Sequence, residues 1–442
     1  MNMNAIPGTT PIEIARRKEA MASADALASS GELREAAVRF AEWIEAHGYA
    51  SYDPYDVWGT EYGKLARRLY YAKHPAGVVM TAPVILMEVV LPGLRRLFVK
   101  KERYPTADAQ VALAFLNLYE AGMQDGREAG KWLQKARGLA TELLTHSIPG
   151  YHGYCWGYPF DWQNLNGLMR KGTPHITATP YCYELFTRFF DLTGDSSSLG
   201  VAASIARFVS EDLADTPTGN DSAASSYTPD DHGKVVNASA YRAFVLFDAA
   251  RRFENEDYTQ KAWRNLRFIL ESQRQDGAWL YAIDNPGEGF IDHFHTCFVL
   301  KNLYKINRQL HSAAVREALH RGYAWYRREL FDERDSPKSF AVAPRLQIVQ
   351  LEMYNFAEAI NLGALLRNEI PEAQVLARTL ARRLIRKYQV PAGYWVTRIY
   401  LGGIRHTTPF LRWPQSQLFH AVTNLLLATG GGWDESSGKV GR

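Results

Sequence analysis

Two short stretches concentrate the side chains able to do chemistry. Tyr151 to Trp162, YHGYCWGYPFDW, holds six Phe, Trp or Tyr in twelve residues, where the 12% aromatic content of the chain predicts between one and two. Gly393 to Gln415, GYWVTRIYLGGIRHTTPFLRWPQ, sets Arg398, Arg405, His406 and Arg412 beside Tyr394, Trp395, Tyr400 and Trp413. Rings interleaved with polar groups suit sugars, whose C–H faces stack on Trp or Tyr while their hydroxyls need directional partners. The stacking candidates are Trp156, Tyr158, Trp162, Trp279, Tyr281, Trp395 and Trp413. The set of Arg405, His406 and Arg412 suits a carboxylate or a phosphate, so a uronic acid is the expected substrate unit.

Transfer of a glycosyl group to water needs a proton donor and a second carboxylate, and Asp161, Asp230, Asp231 and Asp292 stand in three separate loops of this kind. Aromatic neighbours could split their pKa values. Asp161, Asp231 and Asp292 with His293 form the expected catalytic set, although Asp231 and Asp292 also precede apolar helical runs, where a carboxylate caps free N–H groups. His295, His175 and His232 join the expected binding residues. The run Asp292-His293-Phe294-His295 lacks metal-ligand spacing, because side chains two apart diverge on a helix, and no metal is expected. The competing chemistry removes a proton α to a carboxylate; His293, His295 or His406 would act as base, with Arg405 and Arg412 on the acid group. No GxxxxGK[ST], no GxSxG and no GxGxxG after a strand pattern occurs, so no nucleotide or other cofactor is expected.

These loops need a frame, and helical periodicity supplies one. Charged amphipathic helices are expected at about 34–49, 128–145, 198–213, 257–273, 312–329 and 371–389. More apolar helices follow them at about 106–123, 177–193, 236–254, 291–307, 346–366 and 414–429. Markers near the starts of the second set, Ala109, Pro180, Ala240, His295, Glu352 and Gln417, are 71, 60, 55, 57 and 65 residues apart. One such pair buries little apolar surface alone, whereas six closed into a ring share a core. The expectation is an all-α (α/α)6 barrel over residues 31–430, with an N-terminal extension over 1–30, a helical insertion at about 50–105 in the first repeat and a disordered tail over 431–442.

Composition bounds the partners. The 442 residues carry a net charge of +4, with the basic side chains dispersed, which disfavours nucleic acid. Three widely separated cysteines make no disulfide framework, and the first twenty residues lack a signal-peptide pattern, so the cytoplasm is expected. Residues 77–102, GVVMTAPVILMEVVLPGLRRLFVKKE, are apolar and carry Arg95, Arg96, Lys100 and Lys101 toward their end; they read as a buried helix broken near Pro92 with a solvated basic end, or as a peripheral membrane contact through 78–96.

Over about residues 30–430 this repeat pattern resembles the (α/α)6 toroids: six-hairpin glycosidases, several polysaccharide lyases, N-acylglucosamine 2-epimerase-like enzymes, glucuronyl C5-epimerases and, with related barrels, terpene cyclases and prenyltransferases. Gln273 to Trp279, QRQDGAW, matches the QxxDGxW pattern that ends outer helices in such toroids, a structural signature. The stretch RHTTPFLRWPQSQLFHAVTNLLL is similar to the end of glucuronyl C5-epimerases in the Arg412-Trp413 pair and the helix that follows. Neither DxDD nor DDxx[DE] occurs, and Asp292 with Cys297 is spaced wrongly for a zinc-dependent prenyltransferase. The resemblance implies a carbohydrate-active enzyme taking an oligosaccharide or polysaccharide; the choice of reaction rests on the loop residues, whose carboxylates put glycoside hydrolysis first and lysis or C5-epimerisation second. A noncatalytic glycan-binding protein or an isoprenoid cyclase is the reading from another class.

Overall fold

The computed structural model describes residues 27–122, 127–284, 289–343 and 347–430. The expected tail and most of the expected extension lie outside them. Twelve helices alternate in two layers. The outer ones are α1 (Ser30–His47), α5 (Arg127–Thr145), α7 (Ser196–Glu211), α9 (Glu256–Glu271), α11 (Ala313–Glu329) and α13 (Pro371–Tyr388). The inner ones are α4 (Pro105–Ala121), α6 (Thr179–Thr193), α8 (Val236–Phe253), α10 (His293–Leu310), α12 (Met353–Leu365) and α14 (Ser416–Thr429). The inner helices touch in sequence and α14 returns to α4, closing the (α/α)6 ring.

Burial explains the alternation. Every residue from Ala107 to Leu118 of α4 and from Val236 to Ala249 of α8 is buried, as a helix surrounded on all sides requires. An outer helix such as α9 buries a stripe, Tyr258, Ala262, Asn265, Leu266 and Ile269, and leaves its charges in water. One boundary differs from the sequence expectation. The fifth inner helix starts at Met353 rather than near 346, because β3 (Val349–Glu352) pairs with β4 (Arg398–Tyr400), which in turn pairs with β5 (Arg405–His406).

Between α1 and α4 the chain forms two further helices, α2 (Glu61–Tyr71) and α3 (Pro75–Val90), and a 3-10 turn at Pro92–Leu97. Gly77 lets α3 lie on α2, since a Cβ there would stand 2.2 Å from the Tyr70 backbone nitrogen. The segment is fastened by a bridge between Ser51 and Glu102, with both N···O distances 2.9 Å, and by Ser51 Oγ, which accepts from Leu411 N at 3.0 Å.

Two loops leaving outer helices use one device. Gln273 Nε2 donates to Gly277 O at 3.0 Å and to Ala318 O of α11 at 2.9 Å; Gln389 Nε2 donates to Gly393 O at 2.8 Å and to Ala36 O of α1 at 2.9 Å. Each glycine has positive φ, +99° and +107°, and a Cβ would meet the carbonyl oxygen of Arg321 at 2.5 Å or of Arg39 at 2.4 Å. Two residues on, Trp279 and Trp395 are buried. Trp279 donates its ring N–H to Ile269 O at 2.9 Å, and fully buried Trp156 does the same to Leu143 O at 2.9 Å. These three tryptophans, expected as sugar platforms, are staples between helices. The loop is pinned so close to the neighbouring helix that its indole has only the core to enter. Gly277→Ala and Gly393→Ala therefore lose more stability in urea unfolding than Gly402→Ala, whose φ is +80° but whose surroundings are open. The last costs about 1 kcal/mol for its left-handed backbone, and the first two about 1–3 kcal/mol more for the clash.

Candidate active site

The N-terminal ends of the inner helices and the loops before them enclose a cleft of about 1220 Å³. Tyr158, Trp162, Tyr227, Tyr281, Phe290, Phe294, Tyr354 and Trp413 give it aromatic walls; Tyr55, Arg67 and Val78 bring in the segment between α1 and α4. The Tyr181 and Tyr241 hydroxyls, 2.8 Å apart, face one another among the lining residues on α6 and α8.

Arg412 anchors one wall. Its Nε and Nη2 lie 2.6 and 2.8 Å from the two carboxylate oxygens of buried Asp53. The guanidinium lies 4.7 Å over the Tyr158 ring and 5.6 Å from the Tyr55 and Trp413 rings. Burial works against the charge, but Asp53 and the tyrosines hold the Arg412 pKa above its ordinary range. Trp413 stacks face to face on Tyr354 at 3.9 Å and meets Phe294 edge-on at 5.0 Å.

Phe294 leads to the opposite wall, where its ring lies 4.3 Å from that of His295. Asp292 caps α10 by accepting from His295 N at 3.0 Å, and its other oxygen lies 2.7 Å from His295 Nδ1. Capping and side-chain pairing thus meet in one carboxylate. Asp292 is buried, while the His295 side chain is 22% exposed and lines the cleft. A carboxylate on Nδ1 selects the tautomer that leaves Nε2 as the acceptor.

Two of the three remaining carboxylates are occupied. Asp231 accepts from Tyr227 N and Gly233 N with one oxygen, at 3.1 and 2.9 Å, and from Thr228 N and Thr228 Oγ1 with the other, at 2.5 and 2.8 Å. It shapes the loop that carries Tyr227. Asp161 pairs with Lys64 at 2.8 Å and accepts from Lys171 N at 2.8 Å; the Lys64 bond holds its carboxyl below the usual range. It is not among the residues lining the cleft, whereas Asp230 is exposed and lines it.

Of the other residues expected from sequence, Tyr158, Trp162, His232, His295, Arg412 and Trp413 line the cleft. His293, the expected catalytic histidine, does not: two positions from His295 it turns into the core, where its Nε2 lies 2.8 Å from Tyr326 Oη. His175 is fully buried between the rings of Tyr158 and Tyr227, at 4.2 and 5.9 Å, and braces both. Arg405 is exposed on β5, and His406 is buried 3.2 Å from Glu88 of α3; neither lines the cleft. Sequence reasoning missed Asp53, Tyr55, Arg67, Arg170 and Tyr354. Asp53 and Tyr55 belong to the run Asp53-Pro54-Tyr55-Asp56, whose polarity inside the expected helical insertion was the available signal. Among the described residues no three His, Cys, Asp or Glu side chains gather as a metal ion would need.

The sequence matches no family model and no curated protein. Solved structures similar to this chain include cellobiose 2-epimerase from Bacillus thermoamylovorans, with TM-score 0.54 and 12% identity over 74% of this chain and 87% of that one. A variant of unsaturated glucuronyl hydrolase from Streptococcus agalactiae gives TM-score 0.56 and 11% identity over 98% and 99%. An inactive α-1,6-mannanase of a Salegentibacter species, in complex with α-1,6-mannotetrose, gives 0.54 and 11% over 75% and 90%. All are (α/α)6 toroids, and at such identities the likeness is one of fold.

Two outcomes follow from the buried groups. Arg412→Met strands the Asp53 carboxylate and lowers stability in urea by about 3–5 kcal/mol. Burial pushes the His293 imidazole down to about 3, below its ordinary 6.5, so the unfolded chain takes up that proton first. Its contribution is complete above pH 6.5 and is lost as the pH falls toward 3, at up to about 1.4 kcal/mol per pH unit. The stability gap between the wild type and His293→Asn accordingly narrows from pH 6.5 to pH 5. Comparison with the variant cancels the opposite trend from Asp56 and Asp108, which burial raises to about 7.

Proposed function

We propose that the protein is an enzyme of acidic saccharides that removes the proton α to a uronate carboxylate, leading to C5-epimerisation or lysis. The observation that carries this reading is the Asp292–His295 pair, which opens on the cleft while Asp231 and Asp161 are consumed by backbone and lysine partners. Hydrolysis, the first expectation from sequence, needs one free carboxylic acid and a second free carboxylate. Of the carboxylates lining the cleft among the described residues, Asp230 alone is exposed, and Asp292 is spent on its histidine.

In this reading Asp292 accepts from Nδ1–H and stabilises the imidazolium that forms when His295 Nε2 takes the C5 proton. Arg67, Lys73, Arg170 and Arg412 line the cleft and favour a substrate carboxylate, on which charge builds as the proton leaves. Burial keeps the Tyr227 hydroxyl protonated, and it bonds Thr177 Oγ1 at 2.8 Å. That makes it a candidate donor from the other face, completing inversion; departure of the C4 substituent instead gives an unsaturated sugar. The mannotetrose bound by a neighbour of the same fold supports a saccharide in such a cleft. Four cations along the walls argue against the apolar cavity of an isoprenoid cyclase.

Incubation with uronate-containing oligosaccharides in deuterated water tests the reaction. Deuterium at C5, or absorbance from a 4,5-unsaturated product, is expected. His295→Asn should slow either by about 10²–10⁴-fold. New reducing ends with neither signal would establish hydrolysis instead, and binding without any product would make the protein a glycan-binding one.

A further inference from the structure

Helix α3 buries only Gly77, Thr81 and Val84 against its neighbours. Of seventeen large apolar side chains exposed among the described residues, eleven fall between Tyr62 and Phe98. Val79, Leu86, Leu97 and Phe98 are 71%, 63%, 69% and 61% exposed. Proteins scatter such side chains singly unless a partner covers them, and here they follow one another along α3 and the turn after it.

Charge identifies the partner. From Glu61 to Glu102 there are eight Lys or Arg and three Glu, an excess of five in a chain whose net charge is +4. Arg68, Lys73, Arg96, Lys100 and Lys101 are exposed. Glu88, the acidic residue within α3, is turned inward to Arg95 and His406; against the cost of burial these partners hold it ionised, its pKa below the usual value. The outward face is therefore apolar with a basic rim. A second copy of the chain would bring two such rims together, whereas an anionic bilayer complements both features.

We infer that α3 and the turn after it form a docking surface for an anionic membrane, with the helix lying in the interface. Its 16 residues span about 24 Å, short of the ~30 Å hydrocarbon core, and among the described residues no helix is long and apolar enough to cross a membrane. The surface continues into the cleft mouth. Val78 of α3, with Leu165 and Leu168 of the hairpin joining β1 (Trp162–Asn164) and β2 (Gly167–Met169), is both exposed and part of the cleft lining. Docking would hold that mouth against the bilayer, where a saccharide carried on a lipid would enter. This consequence for the substrate rests on the proposed saccharide cleft; the docking surface does not.

Sedimentation of the full chain with phosphatidylglycerol-containing vesicles tests the surface without turnover, so a failed reaction proposal leaves the readout intact. At low salt the protein should pellet, with about tenfold less bound to pure phosphatidylcholine vesicles, in high salt, or for the triple variant Leu86→Glu, Leu97→Glu, Phe98→Glu. These positions are exposed, and an unchanged thermal midpoint confirms that the variant folds. Three results would overturn the inference: full recovery in the supernatant at low salt, equal pelleting of the variant, or a dimer of the wild type that the variant dissolves.

Discussion

The pair between Asp53 and Arg412 joins positions 359 residues apart, and both side chains are almost fully withdrawn from water. Removing two charges from water is costly, and the return comes only with two-point geometry and further partners. Here the guanidinium also lies over Tyr158, while Ser51 ties the same strand of chain to Leu411. The segment between α1 and α4 and the last loop are therefore one body, and the cleft has a wall because they are. With Nε and Nη2 committed to Asp53, Arg412 can offer a ligand Nη1, its face and a partly balanced charge. That suits an anion held in a stack of rings better than a bare ion.

Beneath the cleft the ring of inner helices is polar where their side chains converge. Lys301 and Glu358 pair at 2.6 Å in full burial, Asn424 donates to Asn361 at 2.6 Å, and Lys305 reaches Glu184. Burial alone would strip the charge from Lys301, yet Glu358 holds its pKa above the ordinary value. Each of these bonds joins different inner helices, so the polar interior fixes how the helices are rotated about one another. Rotation decides which residues reach the cleft: Tyr181 and Tyr354 stand on the same helices as these pairs.

The sequence was most legible where one physical rule governed many residues. Six outer and six inner helices stand where periodicity placed them, because burial on one stripe or on all sides leaves its mark along a whole helix. Residue roles in the loops were harder, since composition does not say which way a ring turns. Trp156 and Trp162 lie in the same aromatic run, yet the first donates to Leu143 O inside the core and the second lines the cleft. The QRQDGAW stretch did carry the missing information: its glycine brings the backbone onto the next helix, and so commits Trp279 inward. Gln389, Gly393 and Trp395 repeat that spacing without the acidic residue, which concealed the likeness. His293 and His295 diverge as residues two apart on a helix must, but only the packing of Tyr326 and Phe331 decides which one is inside.

A carboxylate in an aromatic cleft must either keep water or find donors, and that choice selects the chemistry. Asp231 found four donors and became part of a turn. Asp161 found a lysine and a backbone N–H. Asp292 found a backbone N–H and an imidazole that lines the cleft. A carboxylate saturated by fixed donors loses its usefulness as a base, whereas one that faces an imidazole lends its charge to the ring. The same acidic residue type thus shapes a turn as Asp231, anchors a loop as Asp161 and holds an imidazole in place as Asp292.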